Sequence, residues 1–119
     1  MNLQVDIWLR GQDFATTRAI DGLAREPASW TDDDVRAVLE GMLRVMHQLK
    51  YPQDADRLIA LRGLSWIVNP FEQSGVVIAI EILIGAAIAG PIQIDQRALE
   101  VMITRVLAHP VMPQSDAVH

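Results

Sequence analysis

Apolar positions recur at helical spacing in the segment that follows Thr31. Thr31 can cap a helix, and the three acidic residues at 32–34 place negative charge at the positive end of its dipole. Apolar side chains then recur three and four residues apart, as on one face of a helix: Val35, Val38, Leu39, Met42, Val45, Met46 and Leu49. The pattern predicts a helix that ends near Lys50, because Pro52 cannot continue it.

A second apolar stripe follows Asp95, which is placed to cap a helix that ends before Pro110. The stripe consists of Leu99, Met102, Ile103, Val106 and Leu107. Two further blocks between prolines, residues 13–25 and 54–68, have weaker stripes. We predict helices there as well, because prolines collect at helix boundaries.

An internal repeat would organise these helices. An offset of 41 residues superposes Asp13, Asp54 and Asp95, each at the start of a predicted helix. A period of about 40 residues is typical of two-helix solenoid repeats of the HEAT type. The sequence therefore predicts an all-α fold, a compact bundle of about five helices. It would form a single helical domain over residues 1–109, with a flexible C-terminal tail over 110–119.

The main ambiguity of this prediction lies in residues 76–89, where Glu81 is the only ionisable group. As a helix, this run would be apolar all round and buried in the middle of the bundle. Its many β-branched residues favour strands instead. The alternative is an α+β fold with a small antiparallel sheet formed by residues 3–9, 64–68, 76–84 and 86–94. In that sheet Trp8 would lie on the face opposite to Val5 and Ile7.

Composition excludes several classes of protein. Of the 119 residues, 50% are hydrophobic, which is too many for a disordered chain. The absence of cysteine excludes a disulfide scaffold and a thiolate metal centre. A balance of 15 acidic against 10 basic residues, with an isoelectric point near 5.0, argues against a nucleic-acid partner.

The chain shows no signal for export or for a membrane. The N-terminal residues lack the basic and apolar regions of a secretory signal. The apolar run at 76–92 is short for a bilayer and contains Glu81 near its middle. We therefore expect a cytoplasmic protein that does not cross a membrane.

Candidate chemistry centres on Glu81, the only ionisable residue between Glu72 and Asp95. A carboxylate in this apolar run is a candidate buried polar group that could act as an acid–base group or anchor a ligand, although it could also reach the surface or pair with an arginine. His47 has no carboxylate or second histidine within helical reach, and no glycine pattern for phosphate binding is present. The sequence predicts no catalytic residue, metal or cofactor.

Two tryptophans and one helix face are candidates for contact with another protein. Trp8 and Trp30 are possible anchors, because tryptophan is enriched in interface hot spots. The polar side of the first helix adds further candidates: Arg36, Glu40, Arg44 and His47. These residues predict a non-enzymatic interaction module, such as an inhibitor, immunity-type protein, adaptor or chaperone, that acts through a helical face.

The acidic surface suits a basic partner protein, and the high apolar fraction suits a homodimer. The alternative function is a small-ligand-binding protein or an enzyme, with a pocket beside Glu81. A buried Glu81 at an open cavity would favour that alternative.

Overall fold

The chain folds around an antiparallel sheet that carries helices on one face. The computed structural model describes residues 2–23, 25–54, 59–71 and 75–109. In these residues the strands are β1 (Leu3–Leu9), β2 (Thr16–Ile20), β3 (Ser65–Pro70), β4 (Val76–Ile82) and β5 (Gly85–Ile92). The helices are α1 (Asp32–Lys50) and α2 (Gln96–Ala108), and a short 3-10 helix at Pro27–Ser29 precedes α1. The order across the five-stranded sheet is β2-β1-β5-β4-β3, and every neighbouring pair is antiparallel.

Both helices with clear apolar stripes form where the sequence predicts them. Thr31 caps α1 in a reciprocal arrangement, in which the Asp34 N–H donates to Thr31 Oγ1 and the Thr31 N–H donates to Asp34 Oδ2. Asp95 caps α2, because its Oδ2 accepts a hydrogen bond from the Ala98 N–H at 2.9 Å. The predicted caps of these two helices are confirmed.

The predicted all-α bundle with HEAT-like repeats is wrong, because the described residues form an α+β fold with two α-helices. The segment 76–89, predicted as a buried helix, forms β4 and the first half of β5. The alternative antiparallel sheet is the architecture found, although it also contains β2, which neither interpretation included. The offset of 41 residues therefore relates a helix to a hairpin and marks no structural repeat.

The turn of the β4–β5 hairpin has a sequence that continues the apolar run, so the hairpin resembles a buried helix in its hydrophobic pattern. The turn consists of Leu83 and Ile84, so none of the usual polar turn residues marks it. Arg10 holds the turn in place, donating from its backbone N–H to Ile84 O and from Nε to Leu83 O, both at 2.8 Å. Gly85 then starts β5 so close to β1 that a Cβ atom there would lie 2.3 Å from the Trp8 carbonyl oxygen.

The two weaker helix predictions are also wrong. Residues 13–25 contain β2, in which Ile20 is buried, while Phe14 in the preceding loop is 55% exposed. Of the block 54–68, residues 55–58 lie outside the described part, and its last residues belong to β3. Pro70 ends β3, and Pro91 lies within β5. Neither proline therefore marks the boundary of a helix. The tail predicted at 110–119 also lies outside the described residues.

Both helices pack on the same face of the sheet and enclose the core. Helix α1 covers β2, β1 and β5, and α2 covers β3 at the edge. The close approach of α1 depends on Gly41, where a Cβ atom would lie 2.9 Å from Ile20 Cγ2. Among the side chains with almost no exposure are Val5, Ile7, Val35, Leu39, Met42, Met46, Val68, Ile78, Ile92, Leu99 and Ile103. No helix in the described residues is long and apolar enough to cross a membrane.

Two arginines tie the helices to each other. Arg36, predicted to lie on the wet face of α1 beside Glu40, is only 8% exposed and donates from Nη2 to the His109 carbonyl at the end of α2, at 2.7 Å. The guanidinium thereby satisfies a carbonyl at the negative end of the α2 dipole. Arg105 of α2 donates from Nε and Nη2 to the two carboxylate oxygens of Asp32, both at 2.8 Å. These hydrogen bonds hold the pKa of Asp32 below its ordinary value of 3.8; burial opposes them, and the charges of Arg105 and Arg36 add to the lowering.

Candidate binding face

In the part of the chain that the structure describes, one face of the sheet carries no helix, and we call it the open face. Side chains alternate along each strand, so the residues opposite one another in the register share a face. The open face consists of Gln4, Asp6 and Trp8 of β1, Thr17 and Ala19 of β2, Ala86 and Ile88 of β5, Val77, Ala79 and Glu81 of β4, and Ser65, Ile67 and Asn69 of β3.

An apolar groove runs across the middle of the open face. Trp8 on β1 and Ile67 on β3 form its sides, and they are 36% and 52% exposed. Its floor is low, because the strands between them carry the small side chains of Ala86 and Ala79, with Ile88 beside them. The groove has a volume of about 380 Å³. Three strand spacings separate β1 from β3, or roughly 14 Å, which is wide enough for an α-helix.

The sequence of β4 is unusual for a strand with one free face. An antiparallel strand that is covered on one side normally alternates between apolar and polar residues. In β4 the helix-covered positions are Val76, Ile78 and Ile80, yet Val77 and Ala79 on the open face are apolar as well. Such continuous apolar sequence is typical of strands that are covered on both faces. The middle of the open face, on β4 and β5, is therefore more apolar than a strand surface that faces solvent normally is.

The charge of the open face is negative. Its strand positions include the carboxylates of Asp6 and Glu81 and no lysine, arginine or histidine. Asp6 Oδ1 accepts a hydrogen bond from Thr17 Oγ1 at 2.6 Å, which orients this carboxylate. Glu81 is exposed, which is one of the two placements that the sequence left open. Side chains alternate between the two faces of a strand, so Glu81 points away from the core into which the neighbouring Ile80 points.

The residues predicted to bind a partner do not form one surface. Trp8 lies on the open face, whereas Trp30 is buried at 6% exposure and donates from Nε1 to the Arg25 carbonyl at 3.0 Å. Arg36 is buried between the helices. The other three remain on α1, where Glu40 and His47 are half-buried and Arg44 is exposed. Glu40, Arg44 and His47 thus share α1 with the buried Arg36, while Trp8 and Trp30 lie elsewhere.

His47 is positioned by its own helix and by an aromatic neighbour. Its Nδ1 lies 2.9 Å from the Leu43 carbonyl oxygen, and its ring stacks on Tyr51 with centroids 6.2 Å apart. In the described part of the chain, no group of three or more histidine, aspartate or glutamate side chains could hold a metal ion.

The sequence could have revealed the apolar residues of the open face only through the two-residue period of a β-strand. Ala79, Ala86 and Ile88 look like part of a buried helix unless the run is divided near residue 85, as in the α+β alternative, and Gly85 is the one turn-forming residue at that division. Ile67 joins them only through the pairing of β3 with β4, which brings it opposite Ala79. No family model, curated protein or solved structure matches the chain.

Proposed function

We propose that this chain is a non-enzymatic protein–protein interaction module that binds its partner through the open face of the sheet. The observation that carries this proposal is the apolar side of β4 and β5 that no helix covers. Val77, Ala79, Ala86 and Ile88 lie there between the exposed side chains of Trp8 and Ile67. Contiguous exposed apolar surface of this kind is typical of binding sites, and tryptophan is a frequent anchor in them.

The shape and charge of the groove favour an amphipathic helix with basic residues as the bound segment. Sheets in α+β proteins are covered by helices, and the strands that carry Trp8 and Ile67 lie roughly 14 Å apart, a spacing comparable with the helix diameter of about 10–12 Å. An apolar stripe on the helix would pack between Trp8 and Ile67. Lysine or arginine residues beside that stripe would meet Asp6 and Glu81, and the net charge of −5 would attract such a partner at long range.

The bound helix can be characterised by selection from a display library of amphipathic helical peptides with random surface residues. We expect the selected peptides to combine an apolar stripe with an excess of lysine and arginine. Glu81→Arg should weaken their binding about tenfold or more, because it turns attraction into repulsion. Glu26→Arg makes the same charge change at an exposed position outside the sheet, and should have a much smaller effect.

A second pair of variants tests the apolar contribution. Ile67→Ser removes a half-exposed apolar side chain from the groove, and Val101→Ser removes one of 41% exposure from α2. Only the first should weaken peptide binding. Selected peptides without basic residues, or equal losses in the two matched pairs, would contradict the proposal.

A second copy of the chain is the competing occupant of the open face. Light scattering distinguishes it, because a homodimer built on this face would dissociate in Ile67→Ser and would exclude the selected peptides. A small molecule in the groove beside Glu81, which is the alternative function, would compete with the peptides without changing the mass of the protein. The cytoplasm is the compartment we propose, since a chain without cysteine needs no oxidising environment to form disulfides.

A further inference from the structure

A second cleft lies at the carboxyl end of α1, on the helical side of the β4–β5 turn. It is bounded by the last turns of α1, by residues 60–63 and by the hairpin, and has a volume of about 370 Å³. Pockets of about 300–1,000 Å³ are typical for small molecules. The cleft shares no lining residue with the groove of the open face, so it is a separate feature of the molecule.

His47 contributes a fixed hydrogen-bond acceptor to this cleft. The Leu43 carbonyl can only accept, so the hydrogen bond of 2.9 Å requires the proton of the neutral imidazole to be on Nδ1. The other ring nitrogen, Nε2, is then an acceptor. Stacking on Tyr51, together with this hydrogen bond, holds the ring in one orientation. A ligand can therefore donate a hydrogen bond to His47 without the loss of conformational entropy that ordering a mobile side chain would require.

Arg62 contributes a cation to the same cleft. Its side chain is exposed, and no described residue forms a hydrogen bond or ion pair with its guanidinium. A guanidinium offers five N–H donors and no acceptor, in a geometry that matches a carboxylate. The carbonyl end of α1 disfavours negative charge, so an anionic group would bind on the Arg62 side of the cleft.

The remaining wall of the cleft is apolar. Leu43 of α1 is buried at 2% exposure, and Ile82 and Ile84 of the hairpin are partly buried against the core. A flat or branched hydrocarbon body would bury apolar surface away from water on contact with these side chains, which favours binding. One cation, one fixed acceptor and one apolar wall thus converge on a volume suited to a small molecule.

We propose that this cleft binds a small organic acid that carries a hydroxyl group. The carboxylate accepts hydrogen bonds from Arg62, the hydroxyl donates to His47 Nε2, and the hydrocarbon body packs on Leu43, Ile82 and Ile84. The site is independent of the open face, and its occupation does not require the proposed partner.

Isothermal titration with 3- and 4-hydroxybenzoate and with benzoate tests this site. We expect saturable binding with a dissociation constant in the millimolar range or tighter, and stronger binding of at least one hydroxybenzoate than of benzoate. Arg62→Gln should weaken the binding of all three acids about tenfold, because it removes the charge that pairs with the carboxylate. Arg97→Gln makes the same change at an exposed position on α2, outside the cleft, and should leave binding unchanged.

His47→Phe separates the hydroxyl contact from the rest of the site. Phenylalanine keeps a ring against Tyr51 but has no acceptor, so benzoate should still bind while the preference for the hydroxylated acid disappears. Circular dichroism of each variant establishes that it is folded. The proposal is overturned if no acid binds the folded wild-type chain, if Arg62→Gln and Arg97→Gln have equal effects, or if the hydroxyl preference survives in His47→Phe.

Discussion

Arg36 shows how one residue can have a role opposite to the one that its position suggests. Helical spacing put it on the wet side of α1, but the carbonyl end of α2 covers it and accepts its hydrogen bond. Its Nη1 atom is buried without a hydrogen-bond partner among the described residues. The side chain therefore stabilises the packing of α1 on α2 through both its apolar stem and its charged end.

Truncation of Arg36 should be costly. We expect Arg36→Ala to lower the free energy of unfolding by about 2–3 kcal/mol, since it removes buried packing and a charge-assisted hydrogen bond. Arg36→Met should cost less, because it keeps the stem and removes the unpaired Nη1. Urea unfolding measures both. The exposed Arg44→Ala on the same helix serves as the control, and a cost equal to that of Arg36→Ala would contradict the assignment.

Asp32 should make the stability of the protein sensitive to acid. Its pKa is lower in the folded state, chiefly through the hydrogen bonds from Arg105, so its contribution is present above the ordinary value of 3.8 and is lost as the pH falls through the folded value. The wild type should thus be more stable than Asp32→Asn at about pH 7, and the two should converge towards about pH 2. Urea midpoints measured across this range provide the test. Asp33→Asn, in the same turn, controls for the loss of helix-end charge, and a parallel pH response there would refute the role of Arg105.

At the scale of the element, the lack of a side chain at Gly85 allows β5 to lie close to β1. A Cβ atom at this position would lie 2.3 Å from the Trp8 carbonyl oxygen and 2.9 Å from Leu9 Cα, so the strands would have to separate. We expect Gly85→Ala to cost about 2 kcal/mol or more. Gly11→Ala is the matched control, because it has a positive φ of 91° but open space around the added atom. Its cost should be about 1 kcal/mol in thermal unfolding, and a cost equal to that of Gly85→Ala would argue against the steric explanation.

The elements that could be predicted are those whose signals are local. The caps of α1 and α2 and their stripes depend on residues within one or two turns, so Thr31 and Asp95 were sufficient to locate both helices. The hairpin was placed only by the α+β alternative, because Leu83 and Ile84 turn the chain without polar residues and most of β4 is apolar on both faces. For such a run, helix and strand have the same hydrophobic pattern.

The candidate site was still less accessible to sequence reasoning. Trp8 was identified from its residue type, and the α+β alternative put it on the side away from the core, where it lies. The rest of the groove depends on which strands pair: Ile67 meets Ala79 only because β3 lies beside β4, and Trp8 meets Ala86 only because β1 lies beside β5. The first pairing joins neighbouring strands of one hairpin, whereas the pairing of Trp8 with Ala86 joins distant parts of the sequence and has no local pattern.

At the scale of the whole molecule, the two faces of the sheet have different partners. The helices bury one face, and the proposed partner covers the other. Charge attraction should then contribute to association, since the chain carries a net charge of −5 and the helix proposed to bind it is basic. We expect the association rate for a selected basic peptide to fall steeply between about 0.05 M and 0.5 M salt, and the dissociation rate to change much less. Stopped-flow measurements of both rates provide the test, and a salt-independent association rate would contradict the electrostatic part of the proposal.

The central claim, that the open face binds the partner, is tested most directly by methyl chemical shifts during titration with a selected peptide. The same strands supply probes on both faces: Ile88 and Ala79 point to the open face, whereas Ile78 and Ala87 point to the core. The account predicts large, saturable shifts for Ile88, Ala79 and Ile67, and small shifts for Ile78 and Ala87. Shifts confined to methyl groups of α1 and α2, with Ile88 and Ala79 unchanged at saturation, would contradict it.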